Sequence, residues 1–238
     1  MRRHDRIGYA TCGMDDTLAI HISPSILSAD YGALRDQALQ AVAAGGQSIH
    51  VDIMDGHYVQ NLSFGPAVIA ALKPHVTVPI VAHLEIAAPD RWIAATAAAG
   101  ADLIVVQEDT CPNLPLTIAA IRECGVAAGV AVNPDRSFRR IQAHPHLLGE
   151  LELLIVMGVY PGFGGQRFAA TTIPNIRRAV RLRNSAGARF AIGVDGGVDR
   201  STVPEIVAAG ADYLIAGSAI FGGAIDSNIA QLRQAAGA

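Results

Sequence analysis

The sequence predicts an α/β protein, a single (β/α)8 TIM barrel, on three observations. Eight short apolar segments alternate with helical stretches over 238 residues, a length that suits one such barrel. Hydrophobic residues make up 51% of the chain and aromatics only 5%, so the core must be built from Ala, Val, Ile and Leu, as in helices packed around buried parallel strands. A helix-to-strand step also recurs. Ala43-Ala44-Gly45-Gly46 precedes Ser48-Ile49-His50-Val51, Ala98-Ala99-Gly100-Ala101 precedes Leu103-Ile104-Val105-Val106, and Ala208-Ala209-Gly210-Ala211 precedes Tyr213-Leu214-Ile215-Ala216. Each copy is a helix ending in an alanine pair, a glycine cap, then a strand. The irregular spacing excludes a solenoid, and an open doubly wound sheet is the alternative topology.

In chain order, the first strand (19–23) runs into Ser23-Pro24-Ser25, and a helix is predicted over 33–44. The second strand opens at Ser48. Its alternation puts His50 and Asp52 on one face and Ile49, Val51 and Ile53 on the other, before the turn at Asp55-Gly56. Lys73, the one lysine of the chain, stands before Pro74 at the exit of the next helix, away from the strand ends. The third strand (80–85) carries His83 and Glu85 on a common face, and a helix follows over 89–98. The fourth (103–106) ends at Gln107-Glu108, and the fifth spans 126–132. The sixth (153–157) passes Met157 into Pro161-Gly162-Phe163-Gly164-Gly165-Gln166, followed by a helix over 172–184. The seventh (190–194) ends in Asp195-Gly196-Gly197, with a helix over 202–209. The eighth (213–216) ends in Gly217-Ser218, where a short helix would begin. With no linker or low-complexity segment, 19–238 reads as one catalytic barrel. Residues 1–18 lack any pattern and are expected to form a disordered extension, with Met14 an equal candidate for the natural start.

A net charge of −3 leaves no electrostatic footprint for nucleic acid or an anionic membrane. Cys12, Cys111 and Cys124 are odd in number and lack Cys-x-x-Cys spacing, which argues against a disulfide framework or structural zinc site. The basic N-terminus is followed by no apolar stretch, and no apolar run approaches the ~18 residues of a membrane span. A soluble, cytoplasmic protein is expected.

In such barrels the active site lies at the C-terminal ends of the strands. His50, Asp52, His83 and Asp195 would converge there. Two imidazoles and two carboxylates suit one divalent transition metal ion, Zn, Fe, Mn or Co. Taken singly, His83 reads more often as a packed or solvent-facing histidine than as a ligand, and Asp195 reads as a cap or turn residue. The glycines after the sixth, seventh and eighth strands would let backbone N–H groups approach an anion, and phosphate sites in these barrels commonly sit near strands seven and eight. Lys73 lies away from the mouth, which excludes a Schiff-base aldolase and a decarboxylase built on a Lys–Asp array.

The segments Ser23-Pro24-Ser25-Ile26-Leu27-Ser28-Ala29-Asp30, His50-Val51-Asp52-Ile53-Met54-Asp55-Gly56-His57, Pro161-Gly162-Phe163-Gly164-Gly165-Gln166, Val194-Asp195-Gly196-Gly197 and Gly217-Ser218-Ala219-Ile220-Phe221 resemble the ribulose-phosphate 3-epimerase family, in order, from about residue 19 to the end. The resemblance implies a barrel of the ribulose-phosphate-binding type and a phosphorylated ketose as substrate. It implies a metal held by His50, Asp52, His83 and Asp195, with Asp52 and Asp195 as the two acid/base residues. Ser25, His83, Gly162, Phe163, Gly164, Gly165, Gly196, Gly197, Gly217 and Ser218 would contact substrate. The implied reaction is C3 epimerisation between D-ribulose 5-phosphate and D-xylulose 5-phosphate by two-base proton transfer through a cis-enediolate, which a Lewis-acidic cation would stabilise. Members of the family commonly form homo-oligomers.

Three positions depart from the family's pattern. Glu85 stands where a methionine is usual, Gln107 where histidine is frequent, and Tyr160 where Asn or Glu is frequent. With Met54 and Met157 they would set specificity. A six-carbon hexulose 6-phosphate or a shorter tetrulose phosphate is therefore an alternative substrate, and Glu85 is an alternative metal ligand. A non-catalytic sugar-phosphate-binding relative is a third reading, which retention of all four ligands argues against.

Overall fold

The structure is a computed structural model that describes residues 20–237. The expected N-terminal extension, Met14, Cys12 and the first residue of the first expected strand lie outside the described residues. Eight strands form one sheet: β1 His21–Pro24, β2 Ile49–Met54, β3 Ile80–Glu85, β4 Leu103–Gln107, β5 Ala127–Val132, β6 Leu153–Met157, β7 Ala191–Asp195 and β8 Tyr213–Ala216. All seven neighbouring pairs are parallel, in the order β1-β8-β7-β6-β5-β4-β3-β2. The ring closes between β1 and β2 through a parallel bridge from Ser25 to His50 and through Gln47 N–H donating to the Ile22 carbonyl at 2.9 Å. The open-sheet alternative is excluded by this closure.

The helices are α1 Leu34–Ala43, α2 Pro66–Leu72, α3 Ile93–Ala98, α4 Leu114–Glu123, α5 Arg139–Gln142, α6 Thr172–Ser185, α7 Val203–Ala208, α8 Ser218–Phe221 and α9 Ile225–Ala235. The helix expected over 89–98 is divided. Pro89–Arg91 makes a 3-10 turn, and α3 starts only after Trp92, whose φ of −112° departs from helical geometry. No helix among the described residues is long and apolar enough to cross a membrane.

The recurring Ala-Ala-Gly step has one physical form. Gly45, Gly100 and Gly210 adopt φ of 104°, 103° and 103°, the left-handed region that ends a helix without steric cost only for glycine. Two residues beyond each glycine, a polar side chain accepts the N–H at the start of the preceding strand. Gln47 Oε1 accepts from Ile22 at 3.0 Å, Asp102 Oδ2 from Ile80 at 2.8 Å and Asp212 Oδ1 from Ile192 at 2.6 Å. Lys73 Nζ completes the second copy at 2.5 Å from Asp102, and Arg183 the third at 2.6 Å from Asp212. The lone lysine is thus held at the N-terminal rim, opposite the mouth.

Strand alternation sorts the core. Ile49, Val51, Ile53, Ile80, Ala82, Leu84, Ile104 and Val106 pack under the helices, while Val81, Leu103, Val105, Leu153, Ile155, Tyr213 and Ile215 fill the barrel. Below that plug, Ser48 Oγ lies 2.7 Å from both Ser23 Oγ and Tyr213 OH and 2.9 Å from His21 Nε2, so the buried polar groups there satisfy one another. Above it, the inward positions turn polar.

Candidate metal centre

β2 delivers His50 and Asp52 to the barrel interior, β3 delivers His83 and Glu85, β4 delivers Gln107, and β7 delivers Asp195 at its last residue. All six side chains are buried. His50 Nε2 lies 3.2 Å from Asp52 Oδ1, 3.4 Å from Asp195 Oδ2 and 3.3 Å from His83 Nδ1. His83 Nδ1 lies 3.2 Å from Asp195 Oδ2 and 3.5 Å from Asp52 Oδ1. One donor atom from each of His50, Asp52, His83 and Asp195 falls within 4.8 Å of every other. The four residues read from the sequence as ligands therefore meet at one point.

The imidazoles and carboxylates of this point hold one another in their charged forms. Among the described residues no lysine or arginine pairs with Asp52, Asp195 or Glu85, so only the imidazoles oppose the carboxylates. Burial alone would lower the His50 pKa, but Asp52 and Asp195 beside it reverse this and raise it to about 9. His83 follows the same balance, with Asp195, Asp52 and Glu85 raising it to about 10 against burial. In turn, the two imidazoles overcome burial to hold Asp52 and Asp195 below the usual carboxylate range. Two nitrogen and two oxygen donors, buried and facing one centre, fit a divalent transition metal.

The flanking groups orient this set. Ser25 Oγ donates to Asp52 Oδ2 at 2.6 Å, leaving Oδ1 for the cluster. Ser63 Oγ donates to the Asp52 carbonyl at 2.5 Å and accepts from Met54 N–H at 3.0 Å, which pins the end of β2. The Gln107 amide lies 3.1 Å from His83 Nε2, on the side of the ring away from the cluster. Burial pushes the Glu85 carboxyl up to about 8, with Asp52 and Asp195 adding to the effect and His83 opposing it.

A cleft opens directly above. Ser25, Asp52, Met54, Glu85, Met157 and Asp195 line its inner end. Tyr160, Gly162, Phe163, Gly164, Gly165, Gly196, Gly197, Gly217 and Ser218 line its outer part. His50, His83 and Gln107 sit behind that wall. Gly196 and Gly197 adopt φ of 90° and 66°, and a Cβ on Gly196 would stand 2.3 Å from Val159 Cγ2, so only glycine lets the chain turn here. α8 starts at Ser218, as expected, and spans four residues.

Some contributors were not read from the sequence. Asn61 Nδ2 donates to the Gly162 carbonyl at 2.7 Å and ties the loop after β2 to the loop after β6. Ser28, inside the motif that follows the first strand, lines the cleft beside Gly164 and Gly217. Tyr58 OH donates to Asp109 Oδ1 at 3.0 Å and accepts from Asn133 Nδ2 at 2.7 Å, a polar link between three loops that no local pattern announces.

The family description "Ribulose-phosphate 3 epimerase family" matches residues 21–221 of the chain. The ribulose-phosphate 3-epimerase of Bacillus subtilis (strain 168) is 43% identical over 204 residues, covering 85% of this chain and 93% of that protein. That of Rhodobacter capsulatus is 40% identical, covering 92% and 96%, and that of Escherichia coli (strain K12) is 39% identical, covering 84% and 88%. Among solved structures, the tryptophan synthase α-subunit of Pyrococcus furiosus superposes with a TM-score of 0.66 at 16% identity, covering 92% of this chain and 98% of that one. At that identity the likeness is one of barrel fold.

Proposed function

The chain belongs to the ribulose-phosphate 3-epimerase family, isomerases that act on carbohydrates, and from that premise we propose that it interconverts D-ribulose 5-phosphate and D-xylulose 5-phosphate by passing the C3 proton between two carboxylates. The observation that carries this reading is the meeting of Asp52 and Asp195, from strands three places apart in the ring, at the single nitrogen His50 Nε2 beneath the cleft.

His50, Asp52, His83 and Asp195 would hold one divalent ion, Zn, Fe, Mn or Co, which would supply Lewis-acid stabilisation of the charge that builds on the substrate oxygens. The protein's own groups move the proton. One aspartate, as carboxylate, removes the C3 proton from one face and leaves a cis-enediolate. The other, as carboxylic acid, returns a proton to the opposite face of C3. The two residues finish with their protonation states exchanged, so the reverse reaction starts with the roles swapped. The imidazoles alone hold both aspartates below the usual carboxylate range; with one ion shared between them their titrations would be coupled, which would favour one charged and one neutral partner. Ser25 fixes Asp52 through its 2.6 Å hydrogen bond and reaches the cleft. Gly162, Phe163, Gly164, Gly165, Gly196, Gly197, Gly217 and Ser218 would take the phosphate and hydroxyls, largely through backbone N–H groups.

A second reading, the same chemistry on a hexulose 6-phosphate or tetrulose phosphate, is favoured by one observation, the extra carboxyl of Glu85 in the cleft wall. Deuterium incorporation at C3 in D2O, followed by NMR over a panel of ketose phosphates, tests both. Exchange with D-ribulose 5-phosphate is expected. Exchange with only another ketose would move the substrate, and exchange with none in metal-loaded protein would overturn the enzymatic reading.

A further inference from the structure

Glu85 is a buried group for which the two-aspartate reaction has no task. Its residue is only 2% exposed, its Oε1 lies 3.7 Å from His83 Nδ1, and its Oε2 is buried without a hydrogen-bond partner. An unpaired buried carboxyl oxygen costs about 1–3 kcal/mol or more, so a donor in the working state would relieve it. The side chain lines the cleft beside Asp52 and Met54. The four donors that converge on one centre do not include Glu85, which places it above the ligand set and not within it.

Topology says which part of a substrate lies nearest. In the eight-strand ring β3 stands diametrically opposite β7, separated from it by β4, β5 and β6 on one side and by β2, β1 and β8 on the other. The glycine loops follow β6, β7 and β8. A ketose 5-phosphate with its phosphate on those loops and C3 between Asp52 and Asp195 directs its remaining carbons, C2 and then C1, towards β3. We propose that Glu85 pairs with the C1 hydroxyl of the ketose and so makes this enzyme select 1-hydroxy ketose phosphates over their 1-deoxy analogues. This rests on the substrate placement of the proposed function.

The test compares kcat/KM for D-xylulose 5-phosphate and 1-deoxy-D-xylulose 5-phosphate in the wild type, Glu85→Met and Glu85→Gln, with bound metal measured in each. The wild type should prefer the hydroxylated substrate by about 10³-fold or more, as expected when a site is built around a buried polar partner. Glu85→Met should narrow that preference to about tenfold or less, mainly by losing rate on the hydroxylated sugar. Glu85→Gln, with one polar end retained, should fall between. Comparing ratios across variants cancels any intrinsic difference in C3 acidity between the two sugars. An unchanged ratio in Glu85→Met overturns the proposal, as does loss of metal from that variant with the ratio unchanged, which would place Glu85 among the ligands. If the wild type epimerises neither sugar, the proposed function fails. Calorimetric affinities then decide the inference separately: tighter binding of the hydroxylated sugar, abolished in Glu85→Met, supports it, and equal binding overturns it.

Discussion

Replacing Gln107 by leucine should weaken metal binding without unfolding the protein. Gln107 and His83 are both fully buried, and the amide is 3.1 Å from His83 Nε2. For His83 to present the Nδ1 lone pair to a metal, Nε2 must carry the hydrogen and needs an acceptor. A half-turn of the Gln107 amide puts its oxygen at that place. Leucine is apolar, one atom shorter and offers no acceptor, so the Nε2–H would be stranded in a dry site and the ring would lose its orientation. Removing such outer partners typically costs 10- to 100-fold in metal affinity, about 1.4–2.7 kcal/mol. Chelator competition with Zn(II) or Mn(II) reads the affinity, and 15N shifts of His83 read which nitrogen carries the hydrogen. Gln107→Glu, which can only accept, should keep the Nε2–H form and bind metal at least as tightly as the wild type. A folded Gln107→Leu with wild-type affinity, or with the His83 tautomer unaltered, would refute the reasoning.

Further consequences follow for the protons and the fold. Asp52→Asn or Asp195→Asn, with metal still bound, should lower kcat by about 10²–10⁴-fold, and near-normal turnover in either would sink the two-base reading. Gly196→Ala forces a Cβ to 2.3 Å from Val159 Cγ2 at a φ of 90°, so it should destabilise the protein by about 1–3 kcal/mol, seen as a melting point lower by several degrees. Burial pushes the Glu108 carboxyl up to about 7, with Arg140 opposing and Asp109 adding. The folded state therefore binds the Glu108 proton more tightly than the unfolded chain, whose reference value is 4.5. Stability contributed by that proton is lost as pH rises from about 4.5 through 7. Glu108→Gln should flatten this part of the pH–stability curve and raise the melting point at pH 8 by roughly 2–4 °C, about 1 kcal/mol after solvent screening. An unchanged curve would show that Glu108 is solvated in the folded protein.

What the sequence determined by itself was local periodicity and local chirality. The alternation of Ile49-His50-Val51-Asp52-Ile53 decided that His50 and Asp52 share a face, because a strand has a period of two whatever surrounds it. The three Ala-Ala-Gly steps marked helix ends because only glycine turns there without cost, and the three φ values agree within 1°. Pro89 was visible too, but its effect on the helix start depends on which of two near-equal turn types the packing favours, so 89–98 was read as one helix. Tertiary structure alone decided the contacts. Asp195 reaches His50 across 145 positions only because closure of the ring brings the end of β7 over β2. The same closure put the Gln107 amide behind His83, the Asn61 amide under Gly162, and Glu85 across the cleft from the glycine loops. Such pairs are fixed by the register of parallel neighbours and by barrel closure, global properties that no window along a single strand contains.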